Sequence, residues 1–571
     1  MKLKHTILIT AGLMATGASA QYNPTIAVEG TYKPEIILQD RINMYPQREK
    51  TGMIDSRLDF DTRGVITDFE PNGVPMTASG WNTIREDYPW RGYVDIGLGS
   101  WLDARLNAGY RWLQSPSTLS GAYLRHNSTS LWKPKMQGGN DDTRRWMYDE
   151  TIGAYVRHKT SAGMLDADLH YNLACFNYYG TVDRGGAGGG YVPSQTVNRL
   201  HANVLWHGGK EDARLRYHGG VTVRYTGFRS VYDAASHIFG KGTRETMITP
   251  RAGVEYDMSK VSKIGIDARG DAVVGGNGAG SYGRVSLTPY YQASGEHIDF
   301  KAGPRIDLVI DNGPVFRIAP EMRFAYATRG VTFAIEANGG TLLNTAEREA
   351  ALSLYGNPLI TDPRPIYKPV EAWLKFKFGP FAGFQALLEG GFKYVVDQRI
   401  GGWYQYSIND PAARNIYDFN GTRRFDTYGF SVGMTLNYKY GRWIELTATG
   451  AYQPQEGKKS WFNGWDLPEV TAGVSAKSNP WSSLKLGIDW NLRACRKPLL
   501  WKTGTGADTE PSLVNMSMAN MSELSFNASY DIIKNLTVSL DIRNLLNRRQ
   551  EILPGLPTPG VTVMGCLTWQ F

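Results

Sequence analysis

The final eleven residues, Val561 to Phe571, alternate apolar and polar with Met564 alone out of step. In a strand this puts Val561, Val563, Leu567, Trp569 and Phe571 on one face and Thr562, Cys566, Thr568 and Gln570 on the other. A chain that finishes inside such a strand, on a terminal phenylalanine, closes in the manner of a bacterial outer-membrane barrel. Val563, Leu567, Trp569 and Phe571 are therefore the expected membrane-insertion face, and the barrel-assembly machinery is an expected partner.

The other end is consistent with export. Lys2 and Lys4 precede an apolar stretch from Thr6 to Ala15, and Ala18-Ser19-Ala20 offers small residues at cleavage offsets, so residues 1–20 read as a signal peptide. The apolar run is too short to span a bilayer. The mature chain is expected to start at Gln21.

Between these ends the pattern repeats. Ile298, Phe300, Ala302, Ile306, Leu308 and Ile310 fall on one face, while Asp299, Lys301, Arg305, Asp307 and Asp311 fall on the other. Similar alternation runs through Val94–Leu98, Leu106–Trp112, Ile264–Ala268 and Val331–Ala337. A two-layer sandwich has no place for so many charges; lipid outside and water inside does. A mean hydropathy of -0.35, with 64 glycines and 12% aromatics, suits strands that are oily on one side and wet on the other. A membrane protein without long apolar helices must be a closed sheet, because lipid offers no partner for a bare backbone group.

Turn lengths give a strand count. Ten short turns are expected near Ser100, Gly163, Gly209, Lys260, Gly295, Gly330, Pro380, Gly441, Trp481 and Lys534, separated by longer polar connections such as Gln114–Glu150, Thr181–Gln195, Gly340–Pro365, Gly401–Thr427 and Lys497–Met516. Each short turn joins two strands. With an ascending strand before Ser100, at Leu58–Phe60 or Val74–Thr77, and the terminal strand, the expectation is an all-β transmembrane antiparallel barrel of about 22 strands, with short periplasmic turns and longer extracellular loops. Residues 57–571 form this barrel, and residues 21–56 form a periplasmic segment that serves as a short plug or a docking arm.

The end of the chain also resembles a known family. Asn535 to Arg549 carries Asn544-Leu545-Leu546-Asn547, then Pro559-Gly560 leads into the closing strand. This is similar to the end of TonB-dependent receptor barrels, where an "NLxN" turn-off and a "PG" precede a terminal aromatic. The resemblance implies solute uptake across the outer membrane, an N-terminal plug and an energising partner, TonB. Seventy residues separate Gln21 from Arg91, too few for a full plug. Thr25-Ile26-Ala27-Val28 is loosely similar to a TonB-contacting box, which would add a strand to the partner's sheet. The alternative reading is an architectural barrel, a subunit of an outer-membrane assembly, secretion or surface-lipoprotein complex.

Other chemistry is weakly signalled. Gly429-Phe430-Ser431-Val432-Gly433 spells a nucleophile elbow but lies in an alternating run that reads as strand. Gly278 to Gly283 spells a dinucleotide fingerprint without the βαβ context it needs, and reads as an outer loop. The glycine-rich Asp183–Tyr191 reads as a loop tip, and Asp141-Asp142 lacks calcium-loop spacing. Nine scattered histidines show no frame, and Cys175, Cys495 and Cys566 show neither metal spacing nor a disulfide pattern, so no catalytic residue, cofactor or metal is expected. Net charge is +8, or +6 once Lys2 and Lys4 leave with the signal, and no dense basic run accompanies it, so nucleic acid is not an expected partner. Asp299, Lys301, Arg305 and Asp307 are the candidate lumen-lining residues; their mixed signs fit a charge ladder that stiffens the wall and also tunes passage.

Overall fold

Alternating side chains have one consistent home in the structure, a computed structural model that describes residues 90–571 apart from short stretches in the connections between strands. The apolar rungs of the alternating runs, such as Ile298, Leu308 and Ile310, point outward, and the charged rungs between them point inward. Twenty-two antiparallel strands result: β1 Gly92–Gly99, β2 Ala104–Gln114, β3 Thr118–Trp132, β4 Arg145–Lys159, β5 Gly163–Asn177, β6 Ser194–Gly208, β7 Leu215–Phe228, β8 Arg244–Asp257, β9 Ser262–Gly276, β10 Tyr282–Ser294 and β11 Ile298–Ile310 make the first half. The second half is β12 Pro314–Thr328, β13 Val331–Leu342, β14 Ile366–Phe381, β15 Phe384–Ile400, β16 Arg423–Tyr440, β17 Ile444–Tyr452 (continued by Gln455–Gly457), β18 Val470–Trp481, β19 Leu484–Ala494, β20 Met521–Ile533, β21 Leu536–Arg543 and β22 Thr562–Gln570.

Each strand pairs with its sequence neighbours, and β1 also pairs with β22, from Tyr93 opposite Gln570 to Gly99 opposite Met564. That last ladder closes the ring, so no strand edge is left bare to lipid. The outer surface carries Leu98, Ile152, Phe316 and Val432 at 58–68% exposure, values that only an apolar solvent makes tolerable. Val563, Leu567, Trp569 and Phe571 stand on this same outward face.

Ten short turns follow the even-numbered strands, and every long connection follows an odd-numbered one, although those after β1, β9 and β11 are also short. Several short turns are built around a hydroxyl that accepts backbone N–H groups: Ser115 Oγ from Thr118 at 2.9 Å, Thr160 Oγ1 from Gly163 at 3.2 Å, and Ser259 Oγ from Ser262 at 3.1 Å. The count of twenty-two agrees with the sequence expectation, yet three of its parts are corrected. Ser100 lies in the connection after β1 and so belongs to the rim of the longer loops. The stretch Gln114–Glu150, read as one long connection, contains the tight turn 115–117 and the whole of β3. The strand descending to Ser100 was expected to have a partner before it; instead Gly92–Gly99 is itself the first strand of the ring. Leu58–Phe60, Val74–Thr77, the signal peptide and the segment 21–56 lie outside the described residues.

Where two strands approach closely, glycine faces an aromatic ring. Gly153 sits opposite Tyr123 in the β3–β4 ladder, and a Cβ there would fall 2.4 Å from the ring's Cζ. The missing side chain is what lets the tyrosine lie flat on the wall. The NLxN stretch forms a turn in which Asn544 and Asn547 both take left-handed backbone, with φ of 49° and 48°. Asparagine tolerates this conformation and supplies its own bonds: Asn544 Nδ2 donates to the carbonyls of Arg548 and Pro559 at 2.8 and 3.0 Å.

Candidate functional site

A wide barrel is defined by what narrows it. The end of β13 and the first residues of the connection after it, 341–348, lie against the lumen face of β8 to β11, near the rim of the longer loops. This segment is held from both ends of a hydrogen-bonding series. The Thr341 N–H donates to Asp307 Oδ2 at 2.6 Å, and its carbonyl accepts from Arg284 Nη1 at 2.5 Å. Tyr282 donates to the Asn344 carbonyl at 2.8 Å, and the Ala346 N–H donates to Glu245 Oε2 at 2.9 Å. Leu343 packs on Met247, Val273 and Tyr282, three inward-facing residues that make a small apolar patch on an otherwise wet wall. Thr341, Asn344 and Ala346 are buried as a result.

The wall below this segment is a charge ladder. Asp271 is fully covered and serves five donors: Thr249 Oγ1 at 2.9 Å, Arg269 through Nε at 3.1 Å and Nη2 at 3.0 Å, and Arg284 through Nε at 3.0 Å and through Nη2. Asp307 accepts from Ser286 Oγ at 2.5 Å and from Arg305 Nε at 3.2 Å as well as from Thr341. A carboxylate surrounded by that many donors stays ionised at little cost, and it fixes the strands that carry them. Another ladder joins β11 to β14: Lys375 Nζ reaches Glu336 Oε2 at 2.6 Å, and Arg323 Nε lies 3.8 Å from Asp299.

The four candidate lumen residues all point inward, but they divide. Arg305 and Asp307 belong to the clasp on the inward segment. Asp299 accepts from Ser294 Oγ at 2.6 Å nearer the short-turn rim, and Lys301 lies over the Tyr290 ring at 4.2 Å from its centroid. The clasp residues Glu245, Asp271, Tyr282 and Arg284 were missed by sequence reasoning. Their contacts to the segment span 57 to 101 residues, a separation that strand alternation does not report.

The other flagged residues find ordinary places. Gly429–Gly433 lies inside β16 as a straight strand, with no turn to raise a nucleophile. Arg284 to Pro289 is strand, as expected; the loop before it falls partly outside the described residues, as do the tip of Asp183–Tyr191 and all of Asp141-Asp142. Thr25 to Val28 are likewise outside them. Cys175, Cys495 and Cys566 are unpaired thiols, and Cys566 accepts from Arg105 Nη2 at 2.8 Å beside the closing ladder.

No family model matches the sequence, and no curated protein sequence matches it either. Solved structures do match in fold. The FrpB iron transporter from Neisseria meningitidis superposes with a TM-score of 0.62 at 12% identity, covering 84% of this chain and 81% of that one. The siderophore receptor PirA from Acinetobacter baumannii gives 0.62 at 12% identity over 84% and 80%. The ferric enterobactin receptor of Pseudomonas aeruginosa gives 0.60 at 13% identity over 84% and 80%. The chain thus shares the fold of these receptors and transporters, a closed antiparallel barrel of 22 strands, and no plug domain is present among the described residues.

Proposed function

We propose that this barrel admits a solute across the outer membrane, with the inward segment and the charge ladder beneath it setting what passes. One observation carries the reading: the end of β13 and the first residues after it, 341–348, are held against the lumen wall by buried charges of three strands, Glu245 on β8, Arg284 on β10 and Asp307 on β11. A bare wall would need no such clasp. Glu245 and Asp307 each spend a carboxylate oxygen on a segment backbone N–H, which suits a constriction and has little use in a rigid scaffold. Iron and siderophore carriers share the fold, so a ferric chelate is the first solute class to test.

We further propose that Thr25 to Val28 dock the energising partner TonB, and that Val563, Leu567, Trp569 and Phe571 present the closing strand to the assembly machinery. Two experiments test the set. Purified protein in planar bilayers should conduct weakly, and the double substitution Glu245→Ala and Asp307→Ala should raise conductance several-fold by freeing the segment. Deleting Gln21 to Gly30 should abolish energised uptake. Unchanged conductance in the double variant, together with a co-purifying partner, would replace this reading by the architectural one.

A further inference from the structure

Four of the nine histidines of the chain lie on the lumen face of three consecutive strands, β5 to β7. His170 on β5 is directly opposite His201 on β6, and their rings stack with centroids 4.6 Å apart. Asp168, two residues along β5, faces both. Its Oδ2 is 3.2 Å from His201 Nδ1 and 3.8 Å from His170 Nδ1. Leu169, Tyr171 and Leu200, the intervening residues, point to lipid, which fixes the three polar side chains on the water side.

We infer that Asp168, His170 and His201 form a binding site on the lumen wall for a first-row divalent transition-metal ion. The donor set suits such an ion: two imidazoles and one carboxylate match zinc, iron, cobalt, nickel or copper far better than calcium or magnesium, which take oxygen ligands. The donor atoms of the three residues lie within 4.8 Å of one another. Two ligands of one tetrahedral ion stand about 3.4 Å apart at a metal–nitrogen distance of about 2.1 Å. The widest pair must therefore close by up to about 1.4 Å, within reach of side-chain rotation about χ1 and χ2. The three side chains have room for it, since 25–40% of each is exposed to the lumen.

The surroundings hold the carboxylate in place. Asn203 Nδ2 donates to Asp168 Oδ1 at 3.1 Å, leaving Oδ2 turned to the imidazoles. Asn203 is itself fixed, because its Oδ1 accepts from Thr222 Oγ1 at 2.8 Å and from Arg251 Nη2 at 2.5 Å. An outer partner that orients a ligand is what metal sites require beyond the ligands themselves. Three protein donors leave the remaining coordination positions to lumen water. A second imidazole pair follows on the same stripe towards the short-turn rim, where His207 faces His218 with centroids 6.2 Å apart and His218 Nε2 lies 3.6 Å from Asp267 Oδ1. The inference stands on the wall geometry and does not depend on the transport reading.

The test uses the full-length protein without an affinity tag, in detergent, with folding checked by its gel mobility before and after boiling. Zinc ion is titrated against a chromophoric chelator, and cobalt ion is followed by its visible absorption. The wild type should bind one ion per chain saturably at the site. His170→Asn and His201→Asn should each weaken that binding at least tenfold, and Asp168→Asn should do likewise. Asn203→Ala should cost about tenfold while leaving the three ligands in place. His297→Asn, a turn residue remote from the cluster, should change nothing. Absence of saturable binding in the folded wild type, or binding that survives the combined His170→Asn and His201→Asn substitution, would overturn the inference.

Discussion

Asp271 and Arg284 offer the sharpest test of how the wall is held. Asp271→Leu leaves the Arg284 guanidinium buried with the Thr341 carbonyl as its remaining acceptor, after losing the carboxylate that took its Nε at 3.0 Å and its Nη2. Stranding one member of a buried pair costs about 3–5 kcal/mol, which is about two to four powers of ten in the folding constant at about 1.4 kcal/mol per decade. Arg269, which is half exposed, should contribute less than about 1 kcal/mol of this. Arg284→Met is milder, about 1.5–3 kcal/mol, because Asp271 keeps Thr249 and Arg269 as donors. The double variant removes both charges and leaves no buried ion alone, so it should recover at least about 2 kcal/mol against the sum of the singles. Reversible urea unfolding in lipid vesicles, followed by tryptophan fluorescence, measures all three. If the single effects simply add to within about 0.5 kcal/mol, the two residues act independently and the clasp argument fails.

Further outcomes follow from packing and charge. Gly153→Val should cost about 1–3 kcal/mol because Tyr123 must leave the wall, whereas Gly450→Ala, which has no atom within 4 Å of its Cβ position, should be neutral or slightly stabilising in the same unfolding assay. Phe571→Ala should lower the assembled fraction on unboiled gels, since it breaks the stack on Tyr110 and Trp569 at centroid distances of 6.3 and 4.7 Å. Burial pushes the Tyr178 hydroxyl, at the outer end of β5, up to about 12. The unfolded chain then loses this proton before the folded one, so its contribution is intact below about pH 10 and fades from there to about pH 12, by up to about 3 kcal/mol. Tyr178→Phe should flatten the fall in stability between pH 9 and pH 11, and an equal fall in both proteins would refute it.

The architecture was legible because lipid imposes period two on every strand long enough to feel it. Where a strand rises beyond the lipid the signal fades, and β3 shows this. On its outward face, set by pairing to β2, Ala122 and Leu124 are followed by His126 and Ser128. Both faces are then polar, so Thr118–Trp132 read as loop. The total survived because a strand missed there was balanced by one expected before Arg91. The site was less visible. Asp307 and Arg305 could be named as lumen residues from alternation alone, but their role in clasping Thr341 depends on a chain reversal that no local pattern encodes. His170 and His201 are thirty-one residues apart, and the strand register of β5 on β6 is what makes them neighbours.

The ladder between β1 and β22 joins side chains such as Asp95 and Thr568, which are 473 positions apart. Until Thr562–Gln570 has been made and delivered, every shorter version of this polypeptide is a ribbon with two sticky borders, however many hairpins it has already zipped. Losing that last segment would not yield a slightly smaller pore. It would leave an unsealed sheet that neither water nor membrane can accept.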